Sequence, residues 1–289
     1  MNIAVISRGE SLYSTRSLIN AGTAHGHVME VLDPAYCNLA IENNQPILRF
    51  NDEIVDDLHA IIPRIGASNT YFGASLVRHF EQLNVFSVAS SKGILLSRDK
   101  WACFQILVKA GVPVPNTLLG ITANLEFLLE NFKTYPIIIK ILEGTHGQGV
   151  ILSESYQNAL STIESLKTAN VPFLLQEYIE ESKGADIRAI VLDNKIVAAM
   201  KRQSKEGDFR SNLHRGGSAK TIKLSFEEEQ IAIKTAKALG LKFCGVDILQ
   251  SHRGPLVLEV NSTPGLEGIE TITGINIAKK IISFIERNK

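Results

Sequence analysis

Residues 243–268 read FCGVDILQSHRGPLVLEVNSTPGLEG. Two short apolar runs, Gly245–Leu249 and Leu256–Val260, flank the turn-rich Ser251-His252-Arg253-Gly254-Pro255. The pattern predicts an antiparallel hairpin centred near Arg253. In that register Asp247 stands opposite Glu259, and Asn261 joins them because side chains alternate along a strand. The other face pairs Val246 with Val260 and Ile248 with Leu258. One face is thus apolar, and the other carries two carboxylates and an amide. Opposed like charges repel, so a cation between Asp247 and Glu259 is one way to satisfy the face. Oxygen donors of this kind suit magnesium or manganese better than zinc. A solvated face on a half-exposed hairpin accounts for the same residues.

Upstream of the hairpin, Ser225-Phe226-Glu227-Glu228 has the form of a capping box. It opens a helix running to Gly240, which leaves Glu228 a structural role. Before that lies Lys205–Gly217, KEGDFRSNLHRGG, charged, glycine-bounded and without helical or strand period. Long connections of this kind are functional loops or mobile surface. Ile187–Val191 and Ile196–Met200 read as a hairpin across Asp193-Asn194-Lys195, and Phe173–Ile179 as a strand whose end turns polar. A helix over Tyr156–Thr168 precedes it.

Further back, Pro136-Ile137-Ile138-Ile139-Lys140 is a strongly apolar strand ending in a lysine, followed by Glu143–Val150, EGTHGQGV. Glycines between two strands suit a flap whose backbone N–H groups wrap phosphate oxygens. A phosphate beside the flap is one destination for the Lys140 ammonium, and snorkelling to solvent is another. The lysine precedes the glycines and no helix follows at once, so this is not a Walker loop. Ser97–Ala110 is predicted helical and ends sharply at Gly111-Val112-Pro113; a strand near Thr117–Leu119 and a helix from Thr122 to Asn131 follow.

Residues 1–95 alternate strand and helix: strands at Ile3–Ile6, His27–Leu32 and Ala60–Ile62, helices at Ser14–Gly26 and Tyr71–Leu83. This spacing predicts a parallel α/β sheet. Such sheets bind ligands beyond the strand C-termini, where Ser7-Arg8 and Arg64-Ile65-Gly66 fall. The two arginines either face one crevice or are solvated loop residues. No GxGxxG follows the first strand, which excludes the dinucleotide fingerprint.

Composition sets outer bounds. The 289 residues are 45% hydrophobic and 21% charged, with 30 basic and 30 acidic side chains, so no global field recruits nucleic acid or an anionic membrane. Cys37, Cys103 and Cys244 are far apart and form no metal-ligand spacing; each is expected to be a small buried hydrophobe. No run approaches the ~20 apolar residues that cross a bilayer, and MNIAVISRGE lacks a signal-peptide core. A cytoplasmic protein that does not bind membrane or nucleic acid directly is expected.

Taken in order, Lys100, Lys140, EGTHGQGV, QEYI (176–179), GDFRSNLHRGG, Asp247 and EVNSTPGLEG resemble the ATP-grasp superfamily, and within it the RimK family of glutamate ligases. ISRGESLYS and PRIG, near the start, extend the likeness to the whole chain. The resemblance implies an α/β (α+β) architecture: an N-terminal parallel α/β pre-ATP-grasp domain over 1–95 and an ATP-grasp domain over 96–289. The latter would comprise a central subdomain at about 96–180 and a C-terminal one at about 181–289.

For the site, the resemblance implies that Lys100 and Lys140 reach the ATP phosphates and that the flap, with Gly144, Gly147 and Gly149, closes over them. Glu177 and Tyr178 would hold the adenine edge, with Asp186 nearby. Arg210, Ser211 and Asn212 would line the end where phosphate and acceptor meet, Arg210 and Asn212 acting in catalysis. Asp247, Glu259 and Asn261 would ligate two magnesium or manganese ions. The implied reaction is ADP-forming ligation through an acyl phosphate, adding glutamate to the C-terminus of a small-subunit ribosomal protein or making poly-α-glutamate. The same chemistry on a small-molecule or carrier-protein acceptor, and an ATP-binding regulatory protein, are the alternatives. A homotetramer is also implied.

Overall fold

The computed structural model describes residues 1–120, 124–142, 149–205 and 216–289. The N-terminal part comprises β1 (Asn2–Ile6), α1 (Tyr13–Ala24), β2 (Val28–Leu32), β3 (Cys37–Glu42), β4 (Gln45–Phe50), β5 (Glu53–Ile54), β6 (Ala60–Pro63), α2 (Thr70–Gln82) and β7 (Phe86–Ser87). The expected parallel sheet forms with order β2-β1-β6-β7. Both its faces are covered, which explains the unbroken apolar runs. Ala4, Ile6 and Ile61 enter one core cluster, and Ile3, Val5, Ala60 and Ile62 enter another. The antiparallel ribbon β3-β4-β5 is an addition to the expected pattern. Its strands are mostly half-buried or exposed, with Cys37 and Leu48 alone fully buried among them, so they lack the run of buried residues that marks a core strand.

Next come α3 (Ser91–Arg98) and α4 (Lys100–Lys109). The sequence predicts one helix over 97–110; the chain breaks it at Asp99. That residue is extended (φ −81°, ψ 102°), and its carboxylate accepts the amides of Trp101 and Ala102. This N-cap satisfies donors that the start of α4 leaves unpaired. It also sets Lys100 on the first turn.

A four-stranded antiparallel sheet of order β10-β9-β11-β8 follows, formed by β8 (Thr117–Leu119), β9 (Ile137–Ile141), β10 (Val150–Ser153) and β11 (Phe173–Glu177). The helices α5 (Leu125–Leu129) and α6 (Tyr156–Thr168) bury Leu128, Leu129, Ala159 and Ile163 against Ile137, Ile139 and Leu175.

The last sheet has order β14-β13-β12-β15-β16, built from β12 (Ala185–Leu192), β13 (Lys195–Gln203), β14 (Ser218–Thr221), β15 (Phe243–Ser251) and β16 (Gly254–Asn261). Helix α7 (Phe226–Ala238) packs on it, opened by the expected capping box of Ser225 and Glu228. Helices α8 (Glu267–Thr273) and α9 (Ile277–Asn288) close the chain, α9 burying Ile281, Ile282 and Phe284 with Ile3 and Val5 of the N-terminal sheet. Another core cluster joins Ile61 and Phe80 to Ile187, Val246 and Val260. Apolar packing is therefore continuous from the first sheet to the last. Among the described residues no helix is long and apolar enough to cross a membrane.

Candidate active site

The β15–β16 hairpin places Asp247 opposite Glu259 and Val246 opposite Val260, as the alternation predicts. A bulge between Asp247 and Ile248 then pairs Ile248 with Val257 in place of Leu258. The irregularity keeps Ile248, Val257 and Val260 buried below while the two acids share the upper face. Asn261 lies opposite Gly245.

The neighbouring strands supply arginines. Arg188 on β12 pairs with Asp247, and Asp186 pairs with Arg202 on β13. Arg188 donates Nε to Asp247 Oδ1 at 2.7 Å and Nη2 to Oδ2 at 2.6 Å. Arg202 Nη2 stands 3.0 Å from the same Oδ2 and makes a forked pair with Asp186. Burial raises the Asp247 pKa, but Arg188 and Arg202 outweigh it and hold the carboxyl down to about 2. Arg202 is itself buried, and its pKa is raised because the two aspartates overcome desolvation. Asp247 is a permanent carboxylate at any physiological pH.

Glu259 is exposed and makes no hydrogen bond or ion pair with a described residue. Its charge nevertheless reaches three cations on other elements. The Lys140 pKa is pushed by burial down to about 8, with Glu259 opposing the fall and Lys100 adding to it. Lys100 is also lowered by burial and supported by Glu259, and the same holds for Arg98. Lys100 Nζ donates to the Leu142 carbonyl at 2.8 Å, tying α4 to the end of β9. Lys140 faces Val150 and Leu174 across its sheet. Gly149 lies beside it with φ +74°, and a Cβ there would stand 2.9 Å from Ile141 Cβ, so glycine is required.

Hard-cation binding fits the donor set. Asp247 and Glu259 supply carboxylates and Asn261 an amide whose buried Nδ2 has no hydrogen-bond partner among the described residues. Asp247 Oδ2 already receives two N–H groups and Oδ1 one. A carboxylate has about four acceptor positions, so one on Oδ1 is left for a cation. Among the described residues no three His, Cys, Asp or Glu side chains converge; the amide oxygen is what would complete this set.

The nucleotide-edge residues divide. The Glu177 carboxylate is committed to protein, accepting Asn116 N at 2.7 Å and Asn116 Nδ2 at 3.1 Å and pairing with Arg253. Tyr178 beside it is half-buried, and burial raises its phenol pKa. Asp186 is buried and engaged by Arg202. Gly144, Gly147, His146, Arg210, Ser211, Asn212 and His214 lie outside the described residues. Of the two N-terminal arginines, Arg8 is exposed, whereas Arg64 reaches the Pro264 carbonyl at 2.7 Å. Arg188 and Arg202 are the site residues that sequence reading missed. The alternating Asp186-Ile187-Arg188, opposite Met200-Lys201-Arg202 in the expected hairpin, carried that signal. The three cysteines are buried and free, with thiol pKa values pushed up by burial, Cys103 and Cys244 to about 12.

Comparison with known proteins adds independent findings. A family model described as the RimK PreATP-grasp domain matches residues 1–94, and one described as the RimK-like ATP-grasp domain matches 97–285. The chain is 49% identical to a probable alpha-L-glutamate ligase of Vibrio parahaemolyticus, covering 100% of this chain and 96% of the relative. It is 47% identical to one from Trichodesmium erythraeum, covering 100% and 97%. Among solved structures, the ATP-grasp ligase PsnB complexed with minimal precursor superposes with a TM-score of 0.78 at 18% identity, covering 100% and 99%. A RimK domain ATP-grasp protein from Sphaerobacter thermophilus gives 0.72 at 22% identity, covering 99% of each chain.

Proposed function

The chain belongs to the RimK family of ATP-grasp ligases and is a ligase forming amide bonds, and on that footing we propose that it adds α-linked glutamate to a C-terminal carboxylate with cleavage of ATP to ADP and phosphate. The acceptor in this reading is the C-terminus of a small-subunit ribosomal protein, modified in the cytoplasm by a homotetramer. The observation that carries it is the pairing of Asp247 with Glu259 across the β15–β16 hairpin, beside the buried amide of Asn261, with Glu259 supporting the charge of Lys100, Lys140 and Arg98 from other parts of the fold. Cations on one side and Asp247 with Glu259 on the other suit a metal-bound triphosphate between them.

In the first step an acceptor carboxylate oxygen attacks the γ-phosphorus and the bond to ADP breaks, leaving an acyl phosphate. The deprotonated amine of glutamate then attacks the acyl carbon, and phosphate leaves with the C–O bond electrons. Neither step needs a protein nucleophile; positioning and charge neutralisation supply the acceleration. Lys100 and Lys140 would hold the phosphates, and Gly149 with Gly144 and Gly147 would let backbone amides approach them. A divalent ion, magnesium or manganese, bound by Asp247, Glu259 and Asn261 would offset charge on the triphosphate. Arg188 and Arg202 keep Asp247 ionised and oriented for that ion. Arg210, Ser211 and Asn212 belong to the acceptor end, and Glu177, Tyr178 and Asp186 to the adenine end.

Mass spectrometry tests the reading directly. Incubation with ATP, magnesium, glutamate and the candidate ribosomal protein should yield a ladder of species separated by one glutamate residue. Glutamate consumed equally fast without any protein acceptor would favour free poly-α-glutamate or a small acceptor instead. ADP release at background with every acceptor would leave an ATP-binding regulatory protein.

A further inference from the structure

Arg64 follows β6 and Arg98 ends α3, and both reach the segment after β16. Arg64 Nη2 donates to the Pro264 carbonyl at 2.7 Å; Arg98 Nη2 donates to the Ile65 carbonyl at 2.9 Å and to Thr263 Oγ1 at 3.0 Å. Thr263 Oγ1 in turn donates to the Ile65 carbonyl at 3.1 Å. Gly245 lets this segment seat closely, since a Cβ there would stand 3.0 Å from Pro264 Cβ. Each guanidinium is therefore fixed through one nitrogen.

Three of the remaining nitrogens have no partner among the described residues. Arg64 Nε and Nη1 and Arg98 Nε are cut off from solvent and have no hydrogen-bond partner among the described residues. The Ser262 hydroxyl and Asn261 Nδ2, on the same segment, are in the same condition. Buried polar groups are nearly always paired, so several orphan donors in one corner point to a ligand rather than to packing. Neither arginine makes an ion pair with a described residue. The acids they feel act through space, Glu270 on Arg64 and Glu259 on Arg98. Glu270 is itself occupied by the amides of Ile277 and Ala278 and the Ser17 hydroxyl. Burial, and then the repulsion of Arg98, lowers Arg64 to about 10. The pair stays charged at neutral pH but lacks an anion. Guanidinium groups are strong partners for carboxylates, and the segment at Thr263 and Pro264 that both arginines touch directly follows the strand of Glu259 and Asn261.

Building on the proposed function, we propose that Arg64 and Arg98 form the subsite that grips the α-carboxylate of the incoming amino acid. The attacking nitrogen and that carboxylate share one carbon, so fixing the carboxylate aims the amine at the acyl carbon. The γ-phosphate of ATP offers related oxyanion chemistry, and the test separates the two.

Steady-state kinetics of Arg64→Met and Arg98→Met, run in the full chain, provide that test. Each should raise KM for glutamate about 10- to 100-fold, the worth of a charge-assisted contact, with KM for ATP changed less than about twofold. Glutamate α-amide should be a much poorer substrate than glutamate for the wild type and an equal one for either variant. Loss of that discrimination is a signature that a purely structural brace would not give. Arg64→Lys and Arg98→Lys retain a charge and a donor without the fork; should the Met variants fold poorly, these are expected to show a smaller rise. Unchanged KM for glutamate in folded variants overturns the proposal. So does a rise in KM for ATP alone, which would assign the corner to phosphate. Both results presuppose a wild type that turns over; a wild type that consumes no glutamate with any acceptor overturns the ligase reading itself.

Discussion

Arg188 grips Asp247 across β12 and β15 through two hydrogen bonds of 2.7 and 2.6 Å, and Arg202 adds a third contact at 3.0 Å. The carboxylate expected to bind a cation is thus already held by two guanidinium groups. Those arginines fix its orientation and its charge, and they make its substitution a structural event as well as a chemical one.

Glu259→Gln and Asp247→Asn should accordingly behave differently. Glu259 is exposed and unpaired among the described residues, so Glu259→Gln should change stability by no more than about 0.5 kcal/mol while reducing ADP formation at least a hundredfold. Asp247→Asn removes the partner of a buried arginine and should cost roughly 3 kcal/mol of stability, alongside the loss of turnover. Urea denaturation with an ADP-release assay separates the two. Near-normal turnover in Glu259→Gln would remove that residue from the ion site.

Lys140 supplies a pH signature. Its folded pKa of about 8 lies below the ordinary lysine value of 10.5. Between those values the unfolded chain holds the extra proton, so this group's contribution makes the protein more stable as pH rises from about 8 to about 10.5. Binding to a phosphate needs the charged amine, so ATP affinity should fall as pH climbs through 8 and beyond. Thermal melts and nucleotide titrations on wild type and Lys140→Met check both, the variant losing both dependences and binding ATP at least tenfold more weakly. Unchanged nucleotide affinity would remove Lys140 from the phosphate site.

Asp99→Ala tests the break between α3 and α4. Loss of the cap to Trp101 and Ala102 should lower stability by about 1 kcal/mol. It should also weaken ATP binding several-fold, because Lys100 sits on the turn that Asp99 fixes. Asp99→Ser, another good cap, should recover most of the stability in a chemical-denaturation series.

How far these features are legible in the sequence depends on the range of the interaction. The parallel N-terminal sheet, the Ser225–Glu228 capping box and the Asp247–Glu259 pairing all rest on local period or local turns. Each follows from a window of a few dozen residues. The bulge that exchanges Leu258 for Val257 is a one-residue choice made by packing, and alternation cannot report it. Arg188 and Asp247 are separated by 59 positions, and only the pairing of β12 with β15 makes them partners. Asp99 was hidden because Ser97-Arg98-Asp99-Lys100 reads as the charged opening of one helix, although the same Asp is a good cap for a second. Arg64 was visible as an arginine after a strand; its companion Arg98 was not, because the contact is made through the segment at Thr263 and Pro264.

The central claim is that ATP activates an acceptor carboxylate as an acyl phosphate before glutamate joins it. Carrying oxygen-18 in the acceptor's C-terminal carboxylate and analysing the released phosphate by mass spectrometry tests this most directly. The first glutamate joined to each acceptor should deliver one labelled oxygen to phosphate, while later additions activate the unlabelled carboxylate of the preceding glutamate. ADP should form in equal amount to the glutamate added. Phosphate free of label while the first glutamate is added, or AMP in place of ADP, would contradict the account.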